Sequence, residues 1–374
     1  MAKVVVLGAG MVGRAIALDM RRRANVTVVD IRNENLDRLR GVSDISLVQA
    51  DLTLEKEVAG ILTGADLVIS AVPGAMGFET LKRIIVAGRN VVDISFFPED
   101  AFELDQFARA KNVTAVVDCG VAPGLSNLLL GYYNRRMEVS DFVCYVGGLP
   151  VERRLPFEYK APFSPADVIE EYLRPARFVR NGQVIVKEAL TDPEWIDVGG
   201  VGTLEAFNTD GLRSLLRTMK VPNMLEKTLR YPGHIEKIQL LKRLGFFSDK
   251  EIGINGKKVV PLALTSQLLF REWQLQPEEA ELTIMRIVIR GRSENWDKTV
   301  TFNLLDRYDP VTGQSSMART TGYTCTAVAN LMLDGQVRQA GICPPEFIGE
   351  DAANMRFILD YLNARNIQFV TTEG

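Results

Sequence analysis

Short runs rich in β-branched residues recur through the first third of the chain, at 3–7, 26–30, 45–49, 67–70, 90–93 and 114–117, and several are continuously apolar. Strands covered on both faces read this way, whereas a half-exposed antiparallel strand alternates apolar with polar positions. Between the runs, segments 11–23, 54–62, 77–87 and 99–110 space their apolar residues at helical intervals and suit crossover connections. The pattern predicts an α/β fold: a doubly wound parallel sheet of Rossmann type.

Beyond residue 141 the pattern changes to alternation. Runs 178–180 and 184–186 flank Asn181-Gly182, a two-residue hairpin signal that recurs at Asn255-Gly256. Segments 282–290 and 298–307 read as long neighbouring strands joined by a polar turn around 292–297, with helical stretches at 164–172 and 235–244 to cover one face. A second, α+β domain with a mainly antiparallel sheet is expected here. Helical periodicity returns at 321–333, and a last amphipathic helix is predicted at 351–363. The expected division is a nucleotide-binding domain at 1–120, completed by 321–374, and a substrate-binding and oligomerisation domain at 121–320. The alternative leaves the tail as an extension of the second domain.

Composition narrows the partners. Apolar residues make up 47% and charged residues 24%, so a buried core is expected and disorder is excluded. Lys and Arg number 44 against 47 Asp and Glu, with no basic stripe to grip a phosphate backbone, which argues against nucleic acid. Four scattered cysteines and one histidine give no metal-ligand spacing. No apolar run approaches membrane-spanning length and the chain opens directly on a strand, so a soluble, cytoplasmic protein without a membrane partner is expected.

The first strand runs into Gly8-Ala9-Gly10-Met11-Val12-Gly13 and then into a helix, the context that makes GxGxxG a dinucleotide fingerprint. Gly8 permits the tight turn, Gly10 lets a pyrophosphate approach the backbone, and Gly13 lets helix and strand pack closely. Asp30 ends the second strand, where a carboxylate accepts hydrogen bonds from ribose hydroxyls and repels a 2′-phosphate. That favours NAD over NADP, with nearby Arg32 softening the preference. Ligands of such sheets sit at the carboxyl ends of the strands, which adds Asp51, Ala71, Val72, Pro73, Asp93 and Asp118. Asp51 is a candidate adenine contact and Val72 a nicotinamide or ribose contact, with helix capping as the competing role for any of them.

The chain resembles the saccharopine dehydrogenase-like family, and within it the lysine 6-dehydrogenases most. The resemblance is carried by 8–13 with Asp30, Asp118-Cys119-Gly120-Val121-Ala122-Pro123-Gly124, Tyr145-Val146-Gly147-Gly148-Leu149-Pro150, Leu204-Glu205-Ala206-Phe207, Leu229-Arg230-Tyr231-Pro232-Gly233-His234 and Met317-Ala318-Arg319-Thr320-Thr321. It implies NAD-dependent oxidation of an amine carbon to an imine, then release of ammonia; for lysine the product is the semialdehyde or its cyclic piperideine carboxylate. Two departures stand out. Ala122 replaces the Asp that precedes Pro-Gly in glutamate-forming saccharopine reductases, and Thr209-Asp210 replaces their carboxylate-holding Asn-Arg pair. The alternatives are a saccharopine or polyamine-type opine reductase, and a noncatalytic NAD-binding sensor. By analogy a homodimer or larger homo-oligomer is expected.

Several residues carry competing readings. His234, the single histidine, either exchanges protons near neutrality or packs at a helix start. Asp118 and Asp93 are the acid candidates, with Asp118 preferred as partner of the substrate ammonium. Arg213 and Arg230 either anchor a carboxylate or form ordinary ion pairs. Thr209, Arg153, Glu158 and Tyr159 are further substrate candidates, with solvated surface as the alternative for the last three. Cys119 reads as a packing residue.

Overall fold

The structure, a computed structural model, describes residues 1–276, 279–294 and 296–374. Asn295, in the turn expected around 292–297, lies outside them. Two compact units emerge, Met1–Glu138 with Met317–Gln368, and Val139–Ser316 with Phe369–Gly374.

In the first unit seven parallel strands lie in the order Gly341–Cys343, Thr114–Val116, Val91–Asp93, Leu67–Ser70, Ala2–Leu7, Ala24–Asp30 and Ile45–Gln49. The order reverses beside Ala2–Leu7, so the chain ends of the strands on either side diverge there and open a crevice. Val6, Leu7, Val28, Val68, Ile69 and Val92 are buried, as continuous apolar runs require when helices cover both faces.

The expected boundaries shift in two places. Helix Leu125–Asn134 belongs to the first unit, because Gly131 and Gly349 let it pack backbone to backbone on Pro345–Gly349: a Cβ on either glycine would meet a carbonyl oxygen of the other segment at 2.0 Å. At the other end Phe369–Glu373 pairs antiparallel with Trp296–Arg307 and so joins the second unit. Within the first unit, Asp19 of helix Met11–Met20 is buried and meets Arg365 at 2.8 Å and the hydroxyls of Tyr361 and Thr326 at 2.6 Å each. A desolvated carboxylate held by three partners fastens the C-terminal helices to the first helix.

The second unit is built on a mostly antiparallel sheet in the order Glu194–Val198, Gly202–Asn208, Asn223–Arg230, Glu138–Pro150, Glu281–Ser293, Trp296–Arg307 and Phe369–Glu373. One neighbouring pair, Asn223–Arg230 with Glu138–Pro150, is parallel. Hairpins form at both Asn-Gly sites, with Asn181 and Asn255 in the left-handed region at φ 51. Helices Pro165–Leu173, His234–Arg243 and Pro261–Trp273 contribute Tyr172, Ile235, Ile238 and Trp273 to its core. Among the described residues no helix is long and apolar enough to cross a membrane.

Candidate functional site

At the end of strand Ala2–Leu7 the chain turns through Gly8 at φ +99, and Gly10 caps helix Met11–Met20. A Cβ on Gly8 would meet the Ala71 carbonyl oxygen at 2.5 Å, and one on Gly13 would meet the Gly8 carbonyl oxygen at 2.0 Å, whereas Gly10 faces open space. Two glycines draw the backbone together and the third leaves a bare face over the helix N-terminus, where Met11 and Val12 carry N–H groups that the helix itself cannot use. Asp30 locks this turn. Its Oδ2 accepts from the Ala9 N–H at 2.7 Å and the Asn35 amide at 3.2 Å, and its Oδ1 from the Arg32 N–H at 2.8 Å. The cradle fits a dinucleotide, with its pyrophosphate over Gly10 to Val12 and a ribose toward Asp30.

The neighbouring strand ends complete the crevice rim. Ala71 donates its N–H to Leu7 at 2.8 Å, Val72 is buried, and Pro73 caps helix Gly74–Val86. Asp51 folds back on Thr53, accepting its N–H at 2.9 Å and its hydroxyl at 2.7 Å, which lowers the carboxyl's pKa. Its observed partners are therefore those of a turn.

Asp93 is wholly buried. Its Oδ1 accepts the Ser95 N–H at 2.6 Å, while its Oδ2 and the hydroxyls of Ser70 and Ser95 are sealed without a hydrogen-bond partner among the described residues. Burial pushes this carboxyl up to about 7, with the charge of Asp118 adding to the rise and the Ser95 backbone N–H opposing it. Asp118 is itself buried, with its backbone in the left-handed region at φ 53. Burial raises the Cys119 thiol far above its ordinary value, so it packs and does not react.

In the second unit, strand Asn223–Arg230 aligns Glu226, Thr228 and Arg230 on one face by its period of two. The Thr209 hydroxyl donates to Glu226 Oε2 at 2.7 Å and lies 2.8 Å from the Thr228 hydroxyl. Burial, with the charges of Glu171 and Asp210, pushes the Glu226 carboxyl up to about 8. Arg177 grips Asp210 through two bonds of 2.8 Å.

A directed chain of hydrogen bonds follows. Arg230, 2% exposed, donates to Glu171 and the Tyr172 oxygen at 3.0 Å each and to the Leu229 carbonyl at 3.0 Å. Because the Phe157 carbonyl can only accept, the 3.1 Å contact puts a proton on His234 Nδ1; Nε2 then accepts the Tyr172 O–H at 3.0 Å. Burial and then the Arg230 charge hold His234 down to about 3.

These contacts correct several expectations. His234 is a neutral core residue among Phe157, Tyr159, Tyr172 and Trp273, and exchanges no proton near neutrality. Arg230 spends its guanidinium on Glu171, Tyr172 and Leu229, and lies over the Tyr159 ring at 4.4 Å, so it is a structural cation rather than a carboxylate anchor. Tyr159 is buried beneath it, neither surface nor open to a ligand. Arg153 and Glu158 pair with each other at 3.0 Å, and Arg153 stacks over Tyr231 at 4.6 Å. Thr209 turns to Glu226, and Arg213 is buried with φ 50.

Sequence reading missed Glu226, Glu171, Tyr172 and the Arg177–Asp210 pair. A signal existed for the first: charged residues at 226, 227 and 230 inside a strand-like run are costly unless partnered. Among the described residues no three His, Cys, Asp or Glu side chains gather as a metal site.

The saccharopine dehydrogenase NADP binding domain matches residues 4–116 and the saccharopine dehydrogenase C-terminal domain matches 120–367. The mitochondrial alpha-aminoadipic semialdehyde synthase of Bos taurus is 24% identical, over 99% of this chain and 47% of its own length. The chain thus spans about half the length of that relative. The NADP(+), L-glutamate-forming saccharopine dehydrogenase of Pyricularia oryzae is 24% identical, over 91% of this chain and 93% of that one. The structure of the apo L-Glu-forming saccharopine dehydrogenase from Saccharomyces cerevisiae matches in fold with a TM-score of 0.80 over the whole of both chains, at 19% identity. With both domain models matched in order along its length, the chain belongs to the saccharopine dehydrogenase family.

Proposed function

We propose that the protein is an NAD-dependent amino acid dehydrogenase that oxidises a C–N bond, with the side-chain amine of lysine as its substrate. The observation that carries this is the open face of Gly10 beside an Asp30 carboxylate locked at the ribose end. A bound nicotinamide supplies the hydride acceptor. The substrate's ammonium must first lose a proton; its C–H bond then breaks with the electron pair leaving as hydride, and the nitrogen lone pair closes the C=N bond. Water adds to that imine and the C–N bond breaks, giving ammonium and the semialdehyde.

The roles proposed for this chain's residues follow from their surroundings. Asp118, at the end of the Thr114–Val116 region, meets the substrate ammonium. Asp93, which holds its proton up to about pH 7, keeps a neutral hydrogen-bonding group beside it.

On the cofactor, the names of the matched domain and of the Pyricularia relative carry NADP. A carboxylate at position 30 favours NAD, because a 2′-phosphate placed there meets like charge.

A second reading, a reductase that condenses an aldehyde with an amine as in saccharopine formation, is favoured by the Pyricularia relative's name. Against it stand Thr209, committed to Glu226, and Asp210, committed to Arg177, at the positions where the carboxylate-holding pair is expected. A panel of lysine, ornithine, saccharopine and diamines with NAD and NADP, read by absorbance of the reduced cofactor, separates the two. Reduction with lysine and NAD is the expected result; activity with saccharopine alone would install the second reading, and tight NAD binding with no turnover of any amine would leave a sensor.

A further inference from the structure

We infer that Asn35 is a positioning residue for cofactor choice: its side-chain amide holds the Asp30 carboxylate as a charged acceptor at the ribose end of the cradle, and so sets the preference for NAD over NADP. The inference rests on the nucleotide-binding reading above and concerns the first unit alone. Asp30 ends strand Ala24–Asp30 and is 9% exposed, and Asn35, half-buried, stands on the short helix Asn33–Asp37 that follows. The Asn35 amide meets Asp30 Oδ2 at 3.2 Å, beside the Ala9 N–H at 2.7 Å, while the Arg32 N–H reaches Oδ1 at 2.8 Å. Because a carboxylate only accepts, the group that Asn35 turns to it is its NH2.

Two of the three donors are main-chain groups that no substitution removes, and Asn35 supplies the side-chain donor. A carboxylate offers about four acceptor sites. Two donors fill Oδ2, and Oδ1, with one N–H, keeps room for one more. A ribose hydroxyl therefore meets the carboxylate at Oδ1, in an orientation that the Asn35 amide helps to fix, since the terminal torsion of an Asp side chain is broad.

The choice of an amide matters electrostatically. It satisfies an oxygen without cancelling the charge, so Asp30 keeps the negative charge that repels a 2′-phosphate. A cation is close at hand. Arg32 lies two residues on, and its side chain is exposed and makes no ion pair among the described residues. With the Asn35 amide removed, Oδ2 retains the Ala9 N–H alone and Asp30 is released toward that guanidinium, which neutralises it and attracts phosphate.

The test is fluorescence titration of the full chain with NADH and with NADPH, no amine present. N35A should lower NADH affinity roughly 3- to 10-fold and NADPH affinity less. N35K, which puts a cation beside Asp30, should move the ratio of the two affinities further toward NADPH. In a D30A background N35A should change neither affinity, because the residue through which it acts is gone. Leu36→Ala, at a 3% exposed position of the same helix, should lower the denaturant midpoint and leave the ratio unchanged. An N35A ratio equal to that of wild type, the same N35A loss with and without Asp30, or no binding of either nucleotide by wild type overturns the inference. Should D30A fail to fold, the ratios for N35A and N35K set against Leu36→Ala decide alone. Amine turnover with a cofactor ratio indifferent to Asn35 sinks this inference and keeps the proposed function; an Asn35-dependent ratio without turnover of any amine does the reverse.

Discussion

Asp30 and Asp93 are both buried acids at strand ends, and they differ in how many donors meet them. Three N–H groups converge on Asp30, so it serves as a ready-made carboxylate that also holds the glycine turn. Replacing it in Asp30→Ala should lower kcat/KM for NAD by roughly 10- to 100-fold, the scale of a lost charge-assisted bond, and lower that for NADP by less. Equal losses with the two cofactors would show that the turn, not the charge at the ribose, is what Asp30 governs. Asp93 has one N–H and a sealed, unpartnered oxygen, and its carboxyl is raised from 3.8 to about 7. The folded chain therefore keeps a proton that the unfolded chain releases. Asp93 contributes stability that is full below about pH 4 and is lost as pH rises through about 7. Denaturant midpoints measured from pH 5 to 8 should fall across this window, and Asp93→Asn should flatten that fall.

At the scale of elements, close approach and directed bonding set the outcome. Gly13 sits where the first helix meets the first turn, and Gly13→Ala puts a methyl group 2.0 Å from the Gly8 carbonyl. The helix must shift, at a cost of about 1–3 kcal/mol for overpacking, and its N-terminus leaves the cradle; fluorescence titration should show NAD affinity lost along with stability. In the second unit Tyr172 is the middle link between Arg230 and His234. Tyr172→Phe strands a buried guanidinium donor and an imidazole nitrogen, so unfolding free energy should drop by about 1–3 kcal/mol while NAD affinity holds, which chemical denaturation and titration read separately. The elements themselves were largely legible in sequence. The strands at 45–49 and 67–70 coincide with those observed; the second is covered on both faces and shows as an almost unbroken apolar run, while the first, at the sheet edge, shows by its branched residues alone. Strand Asn223–Arg230 escaped because charged residues interrupt its pattern, and helix Pro261–Trp273 because its exposed Leu264 and Leu268 blur the apolar face.

For the molecule as a whole, the first unit depends on residues from both ends of the chain. Asp19 near the start is bound by Arg365 near the end at 2.8 Å. Arg365→Ala leaves a buried carboxylate with only the Tyr361 and Thr326 hydroxyls, which should cost about 3–5 kcal/mol in the unit that carries the glycine turn. In thermal unfolding the transition that NAD stabilises should move down; if it stays put, the C-terminal helices do not contribute to that unit's stability. The return of the chain could be suspected from helical periodicity after residue 320, but its fastening could not, since an Asp and an Arg at such separation carry no mark of being partners.

What the sequence settled alone was local: the glycine turn, the acid at the end of the second strand, the parallel α/β pattern and its change to hairpins. Each is dictated by backbone sterics and by periodicities that neighbouring residues share. Which polar side chains stay available for chemistry was decided by tertiary structure. Burial and pairing depend on residues far apart in the chain, so His234 became a neutral core imidazole, Arg230 a structural cation, and Thr209 a hydroxyl committed to Glu226.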